Sequence, residues 1–150
     1  MTKPRPAKAN SGLARKMAAP GGRTVAEAVR KADAGLESHR EEGMRALAIT
    51  LGQLELACSA RAPGSEPKVY ERAAALLDMA GFFDTGPLYA AAFSLCEVSD
   101  GMLAVGTWDW PSAAVHVRAL RLILTQGCQH NESSRLILEG LATVSLRWPR

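Results

Sequence analysis

Six side chains of the types that do nucleophilic or metal chemistry near neutral pH stand out: His39, His116 and His130, with Cys58, Cys96 and Cys128. An imidazole titrates close to physiological pH, and a thiolate is both a nucleophile and a metal ligand. Their spacing argues against joint action. A helical metal face needs ligands three or four residues apart, and no histidine here has a histidine or cysteine at that distance. No Cys-x-x-Cys pair, Gly-x-x-x-x-Gly-Lys loop, Gly-x-Gly-x-x-Gly turn or nucleophile elbow occurs, and no strand precedes Gly21-Gly22. No metal, cofactor or catalytic residue is therefore expected. His116, on a helix beside Val115 and Ala119, reads as a hydrogen-bonded structural residue. Cys58 and Cys96 sit in apolar helical patterns and Cys128 follows a helix end. Free thiols in a reducing compartment are expected.

The elements that carry these residues all show helical periodicity. Thr24-Val25-Ala26-Glu27 is a capping box, in which the threonine hydroxyl and the glutamate carboxylate each accept from the other's amide. Behind it Val25, Val29, Ala32, Leu36, Gly43, Leu47, Leu54 and Cys58 form one stripe at spacings of three and four or their sums. Ala62-Pro63-Gly64-Ser65 breaks it. A second helix is expected from about Pro67 to Gly81, with Val69, Ala73, Leu76, Leu77 and Ala80 inward. A third opens near Pro87, turns Leu88, Ala92, Leu95, Val98 or Ser99, and Met102 inward, and stops at Gly106. Asp109 or Trp110 caps a fourth, with Pro111 in its first turn, Val115, Ala119, Leu122 and Leu124 inward, and Gly127 as its end. A fifth follows Asn131 and carries Leu136, Ile137, Leu141 and Val144. Arg147 to Arg150 read as a frayed end, since Pro149 cannot continue a helix. No segment alternates with period two. The expected fold is all-α: an antiparallel up-and-down bundle of about five helices over residues 24–150.

Residues 1–23 read differently. They hold Pro4, Pro6, Pro20 and Gly21-Gly22, with few large apolar side chains, so ordering them would cost more than burial returns. A disordered arm is expected there. It is also basic: Lys3, Arg5, Lys8, Arg15, Lys16 and Arg23 face no acidic residue, which leaves twelve basic against fifteen acidic residues in the remainder. The net charge of +3 thus lives on the arm, and a basic folded face for nucleic acid is not expected. No stretch reaches the roughly 18 apolar residues that span a bilayer. The N-terminus lacks an uninterrupted apolar run of the signal-peptide kind. A cytoplasmic protein without membrane contact is the expectation.

The run from Tyr70 to Glu97, with Ala80, Phe83, Leu88 and Ser94-Leu95-Cys96, resembles the helical hairpin of bacterial histidine phosphotransfer (HPt) domains. Ala114 to Arg121 is similar to their closing helix. On that alignment Ala74 occupies the phosphohistidine position, Leu77 the lysine and Asp78 the glycine, and no histidine lies between His39 and His116. Phosphoryl transfer needs an imidazole nitrogen presented to solvent in line with an acyl phosphate, which alanine cannot supply. The Pro20–Ala28 start and the Trp-Pro opening of the fourth helix further resemble CheE-like chemotaxis accessory proteins. The resemblance implies a degenerate HPt-like bundle that binds a response-regulator receiver domain or a histidine kinase without accepting phosphate. The surface it implies lies around Ala74, Leu77, Asp78 and Gly81.

Two other functions compete. A self-associating bundle, a homo-oligomer, is suggested by the length of the first stripe. An aspartyl-phosphate phosphatase would resemble Asp/Glu-x-x-x-Gln or Glu-x-x-Asn/Thr patterns. No acidic residue here has glutamine at the fourth following position or asparagine or threonine at the third.

Overall fold

The computed structural model of the protein describes residues 24–83 and 85–149. The expected arm, residues 1–23, lies outside them. Five helices follow one another: α1 Val25–Ala60, α2 Glu66–Phe82, α3 Pro87–Val105, α4 Trp110–Thr125 and α5 Glu132–Ser145. No strand occurs among the described residues, and the all-α expectation holds. Chain contacts divide into two compact units, residues 1–41 and 42–150.

In the first unit the described residues are the N-terminal half of α1. The capping box is formed: the Glu27 amide donates to Thr24 Oγ1 at 3.1 Å and the Thr24 amide to Glu27 Oε2 at 3.3 Å. Every residue from Thr24 to Glu42 is exposed. The stripe read as one inward face is therefore two: Val25, Val29, Ala32 and Leu36 face solvent, whereas Gly43, Leu47, Leu54 and Cys58 are buried.

The second unit has one core. Leu47, Leu51 and Leu54 of α1 meet Val69, Ala73, Leu76 and Ala80 of α2, Leu88, Ala91, Ala92 and Leu95 of α3, Ala113, Leu120 and Ile123 of α4, and Leu141 of α5. Each fully buried leucine contributes about 1.5–3 kcal/mol. α3 is the hub, packed on α2, α4 and α5, and α4 also packs on α5. By length and composition alone α3 could cross a membrane, an 18-residue window reaching a mean hydropathy of 1.3, although Glu97 and Asp100 interrupt its apolar run. Its inner face, Leu88 to Met102, is instead covered by three neighbours, as in a core helix.

Prolines open three of these helices, in first turns where a missing N–H is no loss. The Asp109 carboxylate caps α4 by accepting from the Ser112 amide at 3.0 Å, and Asn131 and Ser134 form a reciprocal cap on α5. The burial of α4 departs from its sequence reading. Val115 and Leu122 are exposed, and Ala113, His116, Val117, Leu120 and Ile123 are inside. The C-terminus departs too. Trp148 and Pro149 lie against α3 at Gly101, where a Cβ would come within 3.1 Å of Trp148 Cβ and 2.8 Å of the Pro149 carbonyl oxygen.

Phe83, just past α2, lays its ring on α1 at Gly43, where a Cβ would fall 2.2 Å from Phe83 Cζ. Only glycine leaves that space. The contact ties the α2–α3 turn to the first helix, and a buried bond from Thr85 Oγ1 to the Ala80 carbonyl at 2.8 Å closes the turn.

Candidate partner-binding surface

Ala74, Leu77, Asp78 and Gly81 recur at intervals of three, four and seven along α2, so they share one face of it. Ala74 and Leu77 are half-buried, Leu77 against the core, while Asp78 and Gly81 are exposed. This face runs along α3. The Tyr89 ring lies over Gly81, with Cε2 3.1 Å from where a Cβ would stand, and the Asp78 charge acts on the Cys96 thiol. Tyr89 and Phe93, one turn apart on α3, are 42% and 47% exposed. Phe82, at the end of α2, is 83% exposed. The four residues thus border three outward aromatics, which their own spacing did not indicate. Period counting on α3 could have found Tyr89 and Phe93, since neither belongs to the inward set.

None of the histidines stands on α2 or α3. His39 is exposed on α1. His130 is exposed before α5, with its ring on the backbone of Gly86, 2.2 Å from a Cβ built there. Gly86, at φ +39°, is a conformation that also favours glycine. His116 is fully buried. Its Nδ1 lies 2.9 Å from the Ser112 carbonyl oxygen and must donate to it, so Nε2 is left as acceptor for the Ser94 hydroxyl at 2.8 Å. Ser94 Oγ is 3.2 Å from Ser145 Oγ, and Ser145 donates to the Leu141 carbonyl at 2.7 Å.

A serine hydroxyl on an imidazole resembles half of a nucleophilic pair. The other half differs. A backbone carbonyl, not a carboxylate, holds Nδ1, and the nearby Asp109 is engaged with Ser112. Burial also pushes the His116 pKa below the usual imidazole range. A neutral, enclosed ring that bonds α3 to α4, with Ser94 reaching on to α5, is a structural bridge. Its Ser94 partner is 22 residues away and leaves no local motif to read, and Ser145 is linked to it only through Ser94.

The thiols are equally quiet. Burial pushes Cys58 up to about 11, with Arg61 pulling the other way, and burial with Asp78 pushes Cys96 up to about 11. Both stay protonated at neutral pH.

No known protein family matches the chain, and no curated protein or solved structure is similar to it.

Proposed function

We propose that this protein is a non-catalytic signalling protein that binds response-regulator receiver domains, or their histidine kinase, through the α2–α3 face and modulates phosphoryl flow without accepting phosphate. The observation that carries this reading is the composition of that face. Small and apolar side chains at Ala74, Leu77 and Gly81 lie beside Asp78 and the outward rings of Tyr89 and Phe93. Such a face offers aromatic anchors and close approach, the usual makings of an interface centre. It offers no imidazole. His116 cannot reach an incoming phosphoryl group, because its ring is enclosed.

Titration calorimetry with purified receiver domains and the cognate kinase tests the binding. Asp78→Arg changes an exposed residue, so helical content should be unchanged while affinity falls about tenfold or more. Equal affinity of the wild type and the variant would remove this face from consideration. Incubation with a phosphorylated receiver tests the second half. No acid-labile phosphate should appear on the chain. If it does, and is lost in His39→Gln or His130→Gln, the protein is a phosphotransfer protein with a relocated histidine.

A further inference from the structure

Two features remain without a role, and they answer each other. The first is the solvent-facing half of the α1 stripe. Val25, Val29 and Leu36 are 58%, 52% and 69% exposed, on a helix with a formed N-terminal cap. Asp33 and Glu37, one turn apart, flank that stripe. Residues 25–42 hold five acidic and three basic side chains, a net charge of −2.

The second is a cleft of about 630 Å³ in the other unit, between the C-terminal end of α1 and α4. Cys58, Ala114, Val117 and Leu122 give it an apolar lining, and Leu122 is half-exposed. Arg61, Arg118 and Arg121 stand around it with Glu55, a net charge of +2. Arg121 is committed to Glu55 through two bonds. Arg61 and Arg118 have no ion pair among the described residues. Arg61, at φ +47°, ends α1 in the left-handed conformation common just past a helix and stands at the rim of the cleft.

We propose that the N-terminal half of α1 from a second copy of this chain docks in the α1/α4 cleft, its Val25–Val29–Leu36 stripe on the apolar lining and its Asp33 and Glu37 toward Arg61 and Arg118. The lengths are of the same order. At 1.5 Å per residue the stripe from Val25 to Leu36 is about 16 Å long, and the α4 wall from Ala114 to Leu122 is about 12 Å. An amphipathic helix in an apolar groove is a standard mode of association, and opposite net charges fix its register. A contact that rests on one helical stripe and two exposed ion pairs should be reversible and weaken with salt.

Sedimentation equilibrium on the full chain, without any receiver domain, tests this. The wild type should self-associate with rising concentration. Val29→Glu with Leu36→Glu should be monomeric at unchanged helicity, since both positions are exposed. Arg61→Glu with Arg118→Glu should weaken association about tenfold or more, as should Asp33→Arg with Glu37→Arg. Joining the two charge reversals in one chain should restore it. Should the arginine variant lose helicity, Leu122→Glu, at an exposed wall position, serves in its place and should also weaken association. A wild type monomeric at every concentration overturns the proposal. So does association that the stripe variant abolishes and the cleft variants leave intact, which would mean that stripes pair with each other. Failure of the combined reversal to restore association overturns it as well.

Discussion

The fully buried His116 makes the protein acid-sensitive, with a sign that follows from its pKa. The folded state holds the imidazole below its ordinary value of about 6.5, because burial opposes the charge more than the Ser112 carbonyl favours it. The unfolded chain therefore takes up the proton first as pH falls. Stability from this site is fully present above the ordinary value and is lost as pH drops through it toward the folded pKa. Urea unfolding at pH 7.5 and 5.5 should show the lower stability at 5.5, and His116→Gln should flatten the difference. An unchanged difference would assign the acid sensitivity to other groups. Sequence reading expected a hydrogen-bonded His116 but could not show its side-chain partner, since Ser94 meets it only through tertiary packing. The α2 residues of the proposed binding face came from the resemblance to the phosphotransfer hairpin, and their helical spacing puts them on one side of α2. Phe82 was not legible, because it is the last residue of α2, where the sequence pattern reads as a connection.

At the scale of elements, capping chemistry was the most legible feature. The Thr24 box, Asp109 and Asn131 all stand where the sequence put helix starts, because a cap is a local contact that needs no tertiary context. Inward faces were read less well. α4 carries apolar residues on two sides, and periodicity alone could not tell Val115 and Leu122 from the buried Val117 and Leu120. The contact between Phe83 and Gly43 was invisible in sequence, yet it joins two elements and can be tested. Gly43→Ala must push the ring aside and should destabilise the fold by about 1–3 kcal/mol. In Phe83→Ala the same change should cost much less, so a double-mutant cycle should report strong coupling. Additive effects would show that the ring does not rest there.

For the whole molecule, the division at residues 41 and 42 sets up two levels of protection along a single helix. Amides from about residue 29 to 41 should exchange quickly, since every side chain there is exposed, while those near Leu47, Leu51 and Leu54 should exchange only by global opening. Thr24→Ala should then lower helical signal without shifting the main unfolding transition. Uniform slow exchange along α1, in the absence of self-association, would contradict two units. The stripe continues across this boundary with no change in period, so sequence alone could not reveal it. The arrangement around α3 also has a kinetic meaning. Apart from α3 with α5, the strongest helix pairs are neighbours in the chain: α2 with α3, α3 with α4, and α4 with α5. Few long loops have to close before contacts begin to compensate the lost entropy, so folding should be fast, which stopped-flow refolding would check. Such a chain spends little time with its apolar α3 uncovered, the interval in which so hydrophobic a helix would otherwise find the wrong partner.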